Sequence, residues 1–209
     1  MKKLGLSLFF VFVALFMFAG ISSADANQPV SEATYSPEND VLVPFAEPGP
    51  KYPSINVYMR PGDIIYNPKS ISTFFAGHVA IVGPDYKLRH SHPYGPGISE
   101  TLESYISRFS SGDQFTVLRP RGGIGAAAAQ WSLNNINKVK AYNFAPGMAD
   151  IANNYCSKFV WQAYWYGEHK DVAFGNKYNS VGPPAGIVYV IPHYILDSPD
   201  MAIQGVFYK

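Results

Sequence analysis

The sequence contains one cysteine, Cys156, among its 209 residues. A single cysteine excludes an internal disulfide, so a hydrophobic core must supply the stability of the fold. It also excludes zinc sites of the C-x-x-C type, and the five histidines show no H-E-x-x-H spacing. We therefore predict no metal site and no cofactor.

Charge of either sign is also sparse. The chain has 16 Lys and Arg against 15 Asp and Glu, a formal net charge of +1, and its basic residues form no cluster. Nucleic acids and anionic membrane surfaces are recognised by basic clusters, so neither is predicted as a partner.

The chain begins with a predicted targeting signal. Lys2 and Lys3 precede an apolar run from residue 4 to 19, and Ala24 and Ala26 then fit the A-x-A cleavage pattern. This order predicts a secretory signal peptide over residues 1–26, and hence a secreted or cell-envelope protein without a stable membrane anchor after cleavage. The alternative is an uncleaved anchor, because the run approaches the length that spans a bilayer.

A proline-rich stretch follows the signal. Residues 27–57 hold six prolines and no apolar period, so we predict an extended arm or linker there. Whether this arm packs on the folded part is left open. The catalytic domain is predicted over residues 58–209, a length sufficient for one well-buried domain.

Two neighbouring strands carry histidines. The run 77–83 is apolar, β-branched and bounded by glycines, which predicts a buried strand that opens with His78. Pro84 and Asp85 then turn the chain into a second strand over 86–92, making a hairpin. Alternation places His90 and His92 on one face with Leu88, which is unusual for a purely structural strand.

Cys156 stands at the start of a predicted helix. Apolar residues recur at helical spacing from Phe159 onward, Gly167 is placed to end the run, and Asn153 or Asn154 can cap its start. The helix dipole would then favour a thiolate, the form that acts as a nucleophile. The competing interpretation is a small buried core residue, since lone cysteines are usually buried.

The rest of the sequence predicts further strands and helices around these two features. Asp63 is expected to brace a turn rather than to do chemistry. The predicted elements are a strand at 64–66, a helix capped by Ser99 and running through Phe109, a strand at 115–119, a helix at 122–137, a short strand at 140–144, a strand at 187–191, a helical turn at 192–196 and a last strand at 203–207.

Three motifs resemble one known family. Gly62-Asp63-Ile64-Ile65, Gly77-His78-Val79-Ala80-Ile81-Val82 and Tyr155-Cys156-Ser157-Lys158-Phe159-Val160-Trp161 together resemble the circularly permuted papain-fold cysteine hydrolases of the YiiX/YycO type, which are related to the NlpC-type cell-wall peptidases. The resemblance implies an α+β fold in which a mainly antiparallel sheet packs against a central helix that carries the cysteine. In this permuted group the histidine precedes the cysteine, as it does here.

The resemblance also implies roles for individual residues. Cys156 would be the nucleophile and His78 its general base, in a thiolate–imidazolium pair. His90 would orient His78, and His92 would take that role if the strand register were shifted by two residues. Tyr155 and His92 are the candidates for substrate contact.

Two functions of different classes follow from these features, with a third less favoured. The first is a secreted cysteine peptidase or amidase that hydrolyses cell-wall-derived peptides, as the NlpC-type relatives do, with a peptide or wall fragment as its partner. The second is acyl chemistry through a thioester, as in enzymes resembling lecithin retinol acyltransferase. The third is a binding module without catalysis, which the retained cysteine and histidines disfavour.

Overall fold

The structure is a computed structural model that describes residues 48–70, 73, 76–144, 147–175, 177, 184 and 188–209. The predicted signal peptide and residues 27–47 of the predicted arm lie outside the described residues, as does position 187 of the predicted strand at 187–191. No helix within the described residues is long and apolar enough to cross a membrane.

A six-stranded antiparallel sheet in the order β4-β3-β2-β1-β5-β8 forms the centre of the described fold. Two further short strands, β6 and β7, form a separate parallel pair. The strands are β1 (Ile64–Asn67), β2 (His78–Val82), β3 (Leu88–Ser91), β4 (Gly97–Glu100), β5 (Gln114–Pro120), β6 (Ala141–Tyr142), β7 (Asn153–Asn154) and β8 (Met201–Tyr208).

Helices cover both faces of the sheet, so alternate residues of its strands enter two different cores. Val79 and Ile81 pack with residues of α2 and α3, whereas Ala80 and Val82 pack with residues of α1. The helices are α1 (Leu102–Ser107), α2 (Ala126–Asn135), α3 (Cys156–Glu168) and α4 (Pro192–Leu196). The fold is therefore mixed α+β with a mainly antiparallel sheet.

The end of the predicted arm is part of this domain. Tyr52 is buried, and its hydroxyl donates to Asp63 Oδ2 at 2.9 Å. The same oxygen accepts the backbone N–H of Arg60 at 2.9 Å, so Asp63 braces the turn as expected. Arg119 completes the cluster by pairing with Asp63 Oδ1 at 2.7 Å. The packed domain thus begins ahead of the predicted boundary at Tyr58.

Helix α3 begins with Cys156, but its ends differ from the prediction. Its N-cap is Tyr155 without a side-chain bond, because the Asn154 Oδ1 that could cap the helix accepts instead the N–H of Tyr155 at 3.0 Å. The helix also runs past Gly167 to Glu168. Glycine is needed at position 167 because a Cβ there would lie 2.6 Å from the backbone oxygen of Ala127 in α2.

Three other predicted elements are wrong in place or type. Ser99 does not cap a helix: it lies in β4, and Thr101 caps α1 by accepting the Ser104 N–H at 3.2 Å. The predicted helix over 122–137 begins only at Ala126, where Glu168 accepts its first N–H groups. Residues 188–191 form no strand, since Ile191 is already the N-cap of α4.

Candidate active site

The site lies where β2 and β3 separate. Their pairing is confined to Ile81 with Arg89 and Val82 with Leu88, so the strands part toward His78. The start of α3 meets the sheet at this opening: Sγ of Cys156 accepts the backbone N–H of Val79. The topology therefore brings the nucleophile candidate next to the residue that follows His78.

A chain of four side chains runs from His78 across the sheet. His78 Nε2 lies 2.9 Å from His90 Nδ1, and His90 Nε2 lies 2.8 Å from Glu100 Oε1. Arg108 donates hydrogen bonds to both carboxylate oxygens of Glu100, from Nε to Oε1 at 2.7 Å and from Nη2 to Oε2 at 2.9 Å. Ser104 donates a further hydrogen bond to Oε2 at 2.6 Å. This series of hydrogen-bonded side chains thus ends at the Glu100 carboxylate, which has three partners.

The carboxylate fixes the tautomers along this chain. Burial alone would raise the pKa of Glu100, but hydrogen bonds from His90, Arg108 and Ser104 lower it to about 2. Because an ionised carboxylate only accepts, His90 must carry its proton on Nε2. Neutral His90 then accepts on Nδ1, so His78 donates from Nε2. The remaining nitrogen of His78, Nδ1, is left free to accept a proton.

Both relay histidines favour the neutral form. Burial is the main cause that lowers the pKa of His78, and the neighbouring His90 and His92 lower it further. Burial also lowers the pKa of His90, against the opposing effect of Glu100. The buried ring of Tyr105 packs against both, at centroid distances of 6.1 and 5.1 Å. Both imidazoles therefore favour the neutral form, which can accept a proton.

The thiol of Cys156 is buried. Cys156 is only 3% exposed, and burial raises the pKa of its thiol. The Val79 N–H, the hydroxyl and N–H of Ser157 and the Tyr142 hydroxyl oppose this shift without reversing it. Desolvation thus favours the neutral thiol at rest, against the effect of the helix start. The expected thiolate–imidazolium pair stays a prediction, for the reacting state.

The other two predicted site residues lie beside the relay. His92 is half-buried, its ring centroid is 5.8 Å from that of His78, and burial lowers its pKa to about 4. It makes no hydrogen bond in the relay, whereas His90 is bonded directly to His78. Tyr155 stacks on Phe144 at 4.9 Å, and its hydroxyl accepts the Val190 N–H at 3.0 Å, so it supports a neighbour instead of facing substrate.

A cavity of about 290 Å³ opens next to His78. Among the described residues, its apolar walls come from Phe109, Tyr142 and Phe144 with Pro93 and Ala76. His92, Arg108 and Thr73 form its polar edge together with His78. Cys156 is not among the lining residues, whereas Tyr142, whose hydroxyl opposes the rise in the pKa of the Cys156 thiol, is one of them.

Glu100 and Tyr142 are the functional candidates that the sequence reasoning missed. Glu100 was placed in a helix because Ser99 suggested a cap. The turn residues at 93–97, directly after the predicted strand at 86–92, were the available signal for a hairpin to a returning strand. Tyr142 carried no local signal, because its bond to Sγ spans 14 residues of sequence.

Comparisons with known proteins agree with this architecture. The sequence model of a family described as "Lipoprotein N-acylation protein LnsA-like" matches residues 6–185. The crystal structure of metalloprotein YiiX from Escherichia coli is similar at 18% identity, with a TM-score of 0.50, over 72% of this chain and 98% of that one. This likeness shows a shared fold. No curated protein matches the sequence.

The histidines of this chain do not fit a metal. His78 and His90 direct their nitrogens at each other, and the second nitrogen of His90 is directed at Glu100. Their lone pairs therefore do not converge on one point. No group of three or more His, Cys, Asp or Glu within the described part of the chain is arranged to hold an ion.

Proposed function

Because the chain belongs to the family of LnsA-like lipoprotein N-acylation proteins, we propose that it is an acyltransferase that carries an acyl group on Cys156. The acceptor is the amino group of a lipoprotein, and the donor is an acyl ester. One observation carries the proposal: a cavity with aromatic walls opens beside His78, and its lining residue Tyr142 acts on the pKa of the buried Cys156 thiol.

In the first half-reaction the thiol attacks the ester carbonyl of the donor. His78 Nδ1 takes the thiol proton as the S–C bond forms, so the thiolate exists only during attack. The C–O bond of the ester then breaks, and His78 returns the proton to the departing alkoxide. The ionised Glu100 stabilises the transient positive charge through His90, as a carboxylate does behind an imidazole in a catalytic triad.

Tyr142 has two successive partners in this scheme. In the resting state its hydroxyl donates to Sγ, and burial keeps it protonated by raising its pKa. An acyl group that enters the cavity displaces this hydroxyl, which then donates to the oxyanion of the tetrahedral intermediate. The backbone N–H of Cys156 at the start of α3 is the second donor.

The second half-reaction passes the acyl group to the amine. The neutral amino group attacks the thioester carbonyl and His78 takes its excess proton. The N–C bond forms, the S–C bond breaks, and the proton returns to the thiolate. This Cys–His chemistry is also that of the permuted papain arrangement, which we propose for the fold in detail.

A cell-wall peptidase would use the same residues on an amide bond of a wall peptide instead of an acyl ester. It receives no support from the family, whose description concerns lipoprotein N-acylation. A cavity walled by Phe109, Tyr142 and Phe144 also suits an acyl chain better than the charged ends of wall peptides.

The test is to trap the acyl-enzyme. The protein is incubated with an acyl ester but no amine, and a mass increase of one acyl group on the peptide containing Cys156 is expected. A synthetic lipopeptide with a free α-amine should then collect the acyl group, and Cys156→Ala should do neither. Release of amino groups from wall peptides without any acyl-enzyme would overturn the proposal in favour of the peptidase.

A further inference from the structure

The exposed large apolar side chains are concentrated on one part of the molecule. Among the described residues nine such side chains are exposed. Four of them lie on other surfaces: Tyr58, Leu133, Ile203 and Tyr208. The other five, which we call the aromatic rim, come from three segments near the cavity mouth: Tyr94, Phe144, Tyr189, Ile191 and Tyr194.

Two rim residues are joined directly to the cavity. Phe144 is one of its walls and is 53% exposed. Tyr94 is 80% exposed, and its ring lies 5.3 Å from that of His92, another lining residue. Large exposed rings at the mouth of a cavity indicate an interaction surface.

The other three rim residues lie beside the same mouth. Tyr189 precedes Val190, whose N–H is bonded to the hydroxyl of Tyr155, and Tyr155 in turn stacks on Phe144. Ile191 and Tyr194 flank Pro192, which lies within 3.5 Å of the position a Cβ would take on the cavity residue Gly77. The rim therefore borders the cavity on two sides.

The chemistry of the rim matches the interface of a lipid bilayer. Three of the five side chains are tyrosines, whose rings enter the headgroup region while the hydroxyl stays hydrated. The segments 92–97, 140–144 and 188–194 that carry the rim contain no Asp or Glu, so no carboxylate there opposes an anionic leaflet. With no basic cluster in the sequence, aromatic insertion has to provide the attraction.

We propose that the aromatic rim docks on a lipid bilayer and holds the cavity mouth against the acyl chains. This rests on the proposed function, in which the donor is an acyl ester. The apolar run at residues 4–19 argues for the same occupant, because a signal peptide and a retained anchor both bring the chain to a membrane.

The single cysteine makes a direct test possible in the full chain. In a Cys156→Ala background, a new cysteine is introduced at Tyr94→Cys or Tyr194→Cys and labelled with an environment-sensitive fluorophore. The matched controls are Tyr58→Cys and Ile203→Cys, which are exposed residues outside the rim; Ile203 lies in β8, at the edge of the sheet opposite to β4. Vesicles of phosphatidylglycerol and phosphatidylcholine carry nitroxide quenchers in their acyl chains. Because the background is inactive, the result does not depend on the proposed activity.

Docking predicts quenching and a blue shift at both rim positions and neither effect at the control positions. Equal quenching at all four positions, or none at the rim, overturns the proposal. A blue shift that grows with protein concentration and needs no vesicles identifies a second copy of the chain as the occupant, and also overturns it.

An activity measurement then ties docking to the reaction. The triple variant Tyr94→Ser, Tyr189→Ser, Tyr194→Ser should lose activity severalfold on a donor embedded in vesicles and keep its kcat/KM on a soluble short-chain ester. The control triple Tyr58→Ser, Leu133→Ser, Ile203→Ser should keep both. If both triple variants lose equal activity on the vesicle-embedded donor, the rim does not contribute to docking and the proposal is overturned.

Discussion

Replacing Glu100 by Gln tests the relay with little change in shape. A Gln side chain can donate as well as accept, so it no longer forces the proton of His90 onto Nε2. When His90 carries its proton on Nδ1, His78 accepts on Nε2 and carries its own proton on Nδ1, the nitrogen that takes the thiol proton in the proposed mechanism. The substitution also removes the negative charge that stabilises the imidazolium.

The expected loss can be bounded from the position of Glu100. Removing the carboxylate that directly contacts a catalytic imidazole in the serine-protease triad costs about 10⁴-fold in kcat. Removing a residue that only orients a metal ligand costs about 10- to 100-fold in metal affinity or activity. Glu100 is separated from His78 by one imidazole, so we expect about a 10²-fold loss in kcat, or about 2.7 kcal/mol. KM should change little, because Glu100 is not a cavity residue.

The assay is single-turnover formation of the acyl-enzyme, followed against pH. Glu100 raises the pKa of both His78 and His90, so its removal should lower both and move the acid limb of the rate profile to lower pH. Glu103→Gln, on the exposed side of α1, is the matched control and should leave rate and profile unchanged. Nitrogen NMR shifts of the imidazoles report the tautomers directly.

Two results would refute this reasoning. One is Glu100→Gln activity within about twofold of the parent protein. The other is an unchanged His90 tautomer by NMR despite a large loss of rate, because the loss would then arise from folding or from Arg108, which keeps no carboxylate partner in the variant. A thermal melt of both Gln variants separates the folding contribution.

Three further outcomes follow from the site. His78→Ala should reduce acyl-enzyme formation about as much as Cys156→Ala, because the two act as a unit; His92→Ala should cost less than about tenfold, and a larger loss would put His92 in the relay. Iodoacetamide should modify Cys156 slowly at neutral pH and faster only above the free-thiol pKa of about 8.5, since burial raises the pKa of this thiol. Rapid alkylation at neutral pH would contradict a neutral thiol in the resting state. The unfolding midpoint should fall as pH drops below about 6.5, because the unfolded chain then protonates histidines that the fold keeps neutral. His92→Asn should weaken this fall, and an unchanged fall in that variant would contradict the explanation.

The sequence predicted the parts of the site that depend on local patterns. The strand that opens with His78, the hairpin to His90 and the helix that begins with Cys156 each follow from a period of two or 3.6 residues. These features need no knowledge of distant contacts. The pairing of His78 with His90 rather than His92 was implied only by the family resemblance, because alternation places both residues on one face.

The missed features depend on contacts between distant residues. Glu100 belongs to the relay only because β4 pairs with β3, and the same residues carry a plausible helix-cap pattern when taken alone. The proton state of Cys156 depends on complete burial beneath the sheet, which no local pattern expresses. Residues 48–57 were assigned to a linker because of their prolines, although Tyr52 is buried against Asp63.

The proposed transferase has to protect its acyl-enzyme from hydrolysis. A thioester on Cys156 must survive until an amine arrives, and water is always the more abundant nucleophile. The acylated sulfur carries no proton, so the group that could activate water is His78, and the burial that lowers the pKa of His78 also limits the water around it. His78 becomes a cation only while a reacting group supplies its proton. The ratio of transfer to hydrolysis is therefore set by how well Phe109, Tyr142 and Phe144 keep the cavity dry between the two half-reactions.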